Sequence, residues 1–264
     1  MAFSFYIKAE AQFVILHSDI PSVGLAGIQT LHSSHWTGLV NPASLAELHA
    51  CSVSAGYLNY YRISEVGMGT FDATLPLGNA SLGCGMMTLG YSAFRQYTAT
   101  TAIGKSLGRY INAGIGIHYL FMDQASGYTH LRAWIPSVGI QVKPFKNLIA
   151  GAFVFNPAGQ NFRPSGYMQI PVYITAGIGY HLGEEVFWCM EIERAGVRQI
   201  YYSTGVEMIV CKALICRLGI RKSTMLEYAL GIGVKFLQIH TDISVWNHPV
   251  LGMSPSLAMT YTFK

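Results

Sequence analysis

The stretch YINAGIGIHYLFM, residues 110–122, decides the fold. Ile111, Ala113, Ile115, Ile117, Tyr119 and Phe121 fall on one side of an extended chain; Asn112, Gly114, Gly116 and His118 fall on the other. Successive strand side chains point to opposite faces, so an apolar face is backed by a small and polar one. The rhythm recurs from about residue 48 to the end of the chain, often with two glycines in mid-segment and a polar turn after it. A chain this apolar that repeats the pattern many times fits a transmembrane antiparallel β-barrel, with lipid outside and a polar lumen inside.

Composition agrees. Of 264 residues, 51% are hydrophobic and only 11% charged, whereas a soluble domain carries about 25% charge. No run approaches the roughly 20 apolar residues of a membrane helix. The net charge of +4 is modest and the basic residues form no cluster, so nucleic acid is not an expected partner.

Cys51, Cys84, Cys189, Cys211 and Cys216 are odd in number and contain no CxxC pair. That spacing indicates neither a redox pair nor a zinc knuckle. Cys211 and Cys216 flank one turn, but simple alternation puts them on opposite faces, where they cannot be bridged.

The first residues allow two readings. Ala9-Glu10-Ala11 before Gln12 has the small-x-small pattern of a signal-peptide cleavage site, so residues 1–11 are expected to be the remnant of one. The alternative is ordinary chain, because the apolar stretch is short and no basic residues precede it. Residues 12–47 hold Pro21, Gly24, Gly27, Gly38 and Pro42 with little alternation. They are expected to form a plug- or hatch-like segment inside the barrel or under its mouth, with 48–264 as the barrel. A plain periplasmic tail is the other possibility.

The strands are expected at 48–61, 66–76, 80–91, 96–107, 110–123, 130–143, 148–156, 169–182, 186–194, 198–210, 214–221, 225–237, 239–247 and 254–264. Bacterial barrels have an even strand number, and about fourteen satisfies that rule. Tight turns such as Leu77-Gly78-Asn79 and Leu182-Gly183-Glu184 alternate with longer connections such as Gln124–Thr129 and Pro157–Met168. Short periplasmic turns and longer external loops follow that parity. Lipid should meet Ile115, Ile117, Tyr119, Ile178, Tyr180, Leu230, Ile232 and Val234.

Catalytic and cofactor motifs are weak. The pairs Gly67/Gly69, Gly83/Gly85, Gly114/Gly116, Gly177/Gly179 and Gly231/Gly233 lack the third glycine and following helix of a dinucleotide site. Glycines two apart instead bend strands and leave room in the lumen. His32 and His35 lack the usual helical i, i+4 spacing and a third ligand. No Gly-x-Ser-x-Gly occurs. Neither an enzyme nor a cofactor is expected.

One constellation stands out. Glu191, Glu193, Glu207, Arg217, Arg221, Glu227, Lys235, His240 and Asp242 lie by parity on the inward face of neighbouring strands. Interleaved signs favour cross-strand pairing, which would seal a lumen better than it would select a solute. A polar pathway is the alternative.

Gly24-Leu25-Ala26-Gly27, then Asn41-Pro42-Ala43-Ser44-Leu45, then about fourteen short-turned strands resemble the FadL-like superfamily of outer-membrane barrels. The chain is most similar to the PorV/PorQ-type branch of Bacteroidota, where an Asn-Pro-Ala segment precedes the first strand; Asn41, Pro42 and Ala43 match that hatch motif. The resemblance implies an integral outer-membrane protein contacting outer-membrane lipid. It also implies other outer-membrane or periplasmic proteins as partners, in an accessory or scaffold role in type IX protein secretion. The alternative it implies is a FadL-like transporter of small hydrophobic molecules. A transporter needs an apolar pocket near the external mouth, and the short loops are expected to leave little material for one.

Overall fold

The computed structural model describes residues 19–31, 40–124, 130–163, 170–196 and 199–263. Fourteen strands close into one antiparallel barrel. They are β1 Ser52–Asn59, β2 Gly67–Leu77, β3 Ala80–Tyr91, β4 Phe94–Ser106, β5 Ile111–Gln124, β6 Leu131–Phe145 and β7 Leu148–Phe155. The second half is β8 Tyr173–Leu182, β9 Val186–Ala195, β10 Gln199–Cys211, β11 Leu214–Lys222, β12 Leu226–Phe236, β13 Ile239–His248 and β14 Gly252–Thr262. Each strand pairs with its chain neighbours, and β1 closes on β14 with Ser52 opposite Thr262. A closed ladder leaves no edge, which the membrane interior requires. Among the described residues no helix is long and apolar enough to cross a membrane.

Two solvents set the parity. In β5, Ile115 and Ile117 are 61% and 48% exposed, whereas Asn112 and His118 between and beside them are buried. Ile178, Tyr180, Leu230, Ile232 and Val234 are exposed on the outward face. Tyr119 is half-buried because its ring lies 4.8 Å from that of Trp134. Tight turns join strands at the end carrying both barrel termini, where Gly78 and Gly183 take positive φ. The longer connections lie at the other end, which loop length marks as external.

Two details depart from simple alternation. The register between β10 and β11 slips between Ile209 and Cys211, bringing Cys211 opposite Leu214. Leu214 pairs with the outward Val234, and Cys216 with the outward Ile232. The bulge therefore turns Cys211 to the same outward face as Cys216, against the expectation of opposite faces; both thiols are free. Strand β7 is also short. Its ladder with β6 ends at Ser137 opposite Phe155. Beyond that point, among the described residues, β6 meets the β7–β8 connection through Asn156 N–H to Pro136 O at 3.0 Å and the Arg132–Arg163 bridge.

Candidate functional site: the lumen

The described parts of the N-terminal segment, residues 19–31 and 40–47, lie inside the wall. Helix α1, Ile20–Val23, is wholly buried and starts with a proline in its first turn. A 3-10 turn, Pro42–Glu47, follows residue 41. Asn41 begins that turn: its side-chain oxygen accepts the Ala43 N–H at 3.0 Å, and Pro42 supplies the preset first position. The Asn41 amide also donates to Thr30 O at 3.0 Å and to Ile140 O in β6 at 3.2 Å. The Asn-Pro-Ala sequence thus ties two parts of the segment to each other and to the wall.

Inward glycines make that approach possible. A side chain at Gly114 would strike the Pro42 and Ala43 backbone, and one at Gly231 would meet Gly24 Cα. Gly177 faces Leu31 and Gly139 faces Asn41 in the same way. Four of the five Gly-x-Gly pairs point into the lumen; Gly67/Gly69 points out, beside the buried Met68.

Glu191, Glu207, Arg217, His240 and Asp242 lie beside the segment, whereas Glu193, Arg221 and Glu227 lie toward the external strand ends. Glu191 accepts the Thr30 N–H at 2.8 Å and the Gln29 N–H at 3.2 Å. The Thr30 and Thr175 hydroxyls are 2.6 Å apart. Arg217 joins Glu207 at 2.6 Å and also pairs with Asp242. His240 Nε2 stands 3.5 Å from Asp242. Arg221 pairs with Glu193 at 3.0 Å, and its guanidinium stacks 3.9 Å from the Tyr201 ring centroid. Two of the nine residues stand apart. Glu227 lies 3.9 Å from His248, and Lys235 is exposed beside the β12–β13 turn. Parity located these residues; it could not show that Glu191 spends its charge on backbone amides of the N-terminal segment. His32 and His35, residues 1–18 and Lys264 lie outside the described residues. Among the described residues no cluster could hold a metal ion.

The external half of the lumen differs from expectation. One side of it is apolar, across from the Arg221–Glu193 pair, and the strands themselves supply the lining. Leu58, Met68, Leu120, Met122 and Phe155 are each at most 2% exposed, and with Trp246 they form one cluster reaching down to Ile20 and Val23 of α1. Short loops do not prevent an apolar lining, because the strand ends carry apolar residues on both faces. His118 marks the change of character: its ring nitrogens lie 2.9 Å from the Thr100 and Ser137 hydroxyls, and its ring is 5.1 Å from that of Phe155. At the top, the buried Tyr60 belongs to the same cluster, and burial pushes its phenol well above the usual range, so it stays neutral.

No protein-family model matches the chain, and no curated protein matches it. Solved structures do. The Ralstonia pickettii toluene transporter TbuX aligns with a TM-score of 0.73 at 10% identity, over 93% of this chain and 98% of that one. The Pseudomonas putida toluene transporter TodX aligns at 0.70 and 10% identity, over 92% and 97%. A Pseudomonas aeruginosa FadL homologue aligns at 0.67 and 11%, over 94% and 98%. At these identities the likeness shows the fold: a FadL-like barrel integral to the outer membrane. It agrees with the FadL-like barrel architecture expected from the sequence and does not bear on the PorV/PorQ branch.

Proposed function

We propose that the protein carries small hydrophobic molecules across the outer membrane, as a FadL-like transporter. The apolar cluster in the external half of the lumen, reaching down to Ile20 and Val23 and bordered by the Arg221–Glu193 pair, is the observation that carries this reading. Such a lining offers an apolar solute a place to leave water at about 25 cal/mol per Å² of buried surface. The fold shared with two toluene transporters supports the same reading. Below the lining, the segment held by Glu191, Asn41 and Gln141 stands between that cluster and the periplasmic end, with Gln141 donating to Thr30 O at 2.9 Å. Passage would require part of it to move.

Uptake of radiolabelled toluene by cells expressing the chain tests the proposal. Wild type should raise uptake over empty cells, and Leu120→Asn should lower it at equal levels of folded barrel. Equal uptake with and without the protein would reject it.

A second reading is an accessory barrel of a PorV/PorQ-like protein export machine. The closed, salt-bridged half of the lumen favours it, because opposite charges in contact fill a channel. Purification from native membranes separates the two: a stoichiometric partner protein supports the accessory role, and bound hydrophobic ligand supports transport.

A further inference from the structure

The lipid-facing wall carries a shallow groove of about 390 Å³ near its external rim, across β1 to β4. Its floor is one row in register: Tyr57 opposite Gly69, Gly69 opposite Thr88, Thr88 opposite Tyr97. The row faces outward, because Leu58, Met68 and Gln96 beside it are at most 2% exposed. Gly69 removes a side chain from the wall between Tyr57 and Tyr97, while the Tyr57 ring lies over Gly67, the other member of the glycine pair that the lumen does not use.

A cation stands at the head of the groove. Arg95 is exposed, lies opposite Gly90 and Asp123 in the ladders, and forms no hydrogen bond or ion pair among the described residues. Asp123 is engaged by His130 at 3.0 Å. The nearby Glu65 carboxylate accepts the Ser64 hydroxyl at 2.7 Å. Arg132 continues the floor row beyond Tyr97, through Phe121, roughly 10 Å along the wall at the usual strand spacing.

The two rims also differ in kind. Exposed cations at the external end are Arg62, Arg95, Arg132, Arg163, Arg194 and Lys222; at the periplasmic end they are Lys105, Lys146, Lys212, Lys235 and Arg109. Arginine's planar fork binds phosphate through paired hydrogen bonds, whereas lysine acts as a point charge. An arginine rim beside a groove that mixes the rings of Tyr57 and Tyr97 with the polar groups of Ser64, Thr88 and Arg95 complements a lipid whose phosphates sit at the external surface.

We propose that this groove docks a lipopolysaccharide-type lipid of the outer leaflet. An acyl chain lies between Tyr57 and Tyr97, and a headgroup phosphate sits on Arg95 with Arg132 next along the rim. The site is independent of what crosses the lumen.

The test uses the full-length barrel in detergent, incubated with purified short-chain lipopolysaccharide or with the same lipid enzymatically dephosphorylated, and read by native mass spectrometry. Wild type should retain the phosphorylated lipid. Arg95→Gln, on an exposed side chain, should retain about tenfold less, the order expected for one lost charge-assisted hydrogen bond. Dephosphorylated lipid should be lost similarly, and Lys105→Gln should behave as wild type. Gly69→Leu, which fills the groove, should also lower retention. Equal retention by Arg95→Gln and wild type, equal retention of the two lipids, or an equal loss in Lys105→Gln would each overturn the assignment. Undiminished retention by folded Gly69→Leu would overturn the acyl-chain half of it.

Discussion

The Glu191 carboxylate accepts the Thr30 amide at 2.8 Å, across 161 positions of chain, and the Gln29 amide at 3.2 Å. One buried charge on β9 thereby serves two successive backbone donors of the N-terminal segment. Glu191→Ala removes both bonds. Each hydrogen bond to a charged group is worth about 1.5–3 kcal/mol, so residues around Thr30 should open more often. Hydrogen exchange at residues 25–31 should accelerate at least tenfold while the strands keep their protection.

Arg217 stands between Glu207 and Asp242, and its side chain is 2% exposed. Arg217→Leu leaves two carboxylates facing each other without their cation. Breaking a buried pair from one side costs about 3–5 kcal/mol. The temperature at which the folded band is lost in semi-native electrophoresis should fall clearly, and adding Glu207→Gln with Asp242→Asn should restore part of it. An unchanged transition in the single variant would contradict the pairing.

Gly114 touches the backbone at Pro42. Gly114→Val places side-chain atoms where that backbone stands, so the 3-10 turn must shift or the wall must bend. Overpacking of this kind costs about 1–3 kcal/mol. A cysteine placed at Ala43, buried in the native chain, should become reactive to a water-soluble maleimide in this background and stay protected without it.

Conductance follows from the filled lumen. In a planar bilayer the intact chain should show no large, steady pore, since fourteen strands fall short of the 16–18 of open porins and the segment occupies the interior. Removing residues 12–40 should raise the conductance. Large ohmic steps from the intact chain would place a porin-like role first.

The strand pattern was readable because lipid and lumen impose opposite demands on alternate residues, as Ile115 and Gly114 do. The contrast fades at the external strand ends. Tyr119, Leu120, Phe121 and Met122 are all apolar, yet Leu120 and Met122 point inward. Alternation cannot separate a lipid face from an apolar lumen face, so the inward apolar cluster went unseen. The bulge near Cys211 was equally hidden, because one extra residue leaves no mark on composition. Charges such as Arg217 and Glu207 were placed by parity on adjacent strands, where they sit opposite each other. The partner of Glu191 lies in an irregular segment with no period to read.

Strand β7 has eight residues where β6 beside it has fifteen. Strand β1 is equally short, but its neighbours β2 and β14 have only eleven residues each, so β6 overhangs β7 further than any strand overhangs β1. Among the described residues, the external half of β6 is stitched on that side by the Asn156–Pro136 bond and the Arg132–Arg163 bridge, while β5 holds its other side from Met122 to Ile111. When the protein is warmed or pulled from the membrane, the tear should start there and run toward the periplasmic end. The rest of the cylinder would then unroll as a sheet hinged on β5, and the order in which the strands come loose would be written in the mismatch between β6 and its short neighbour.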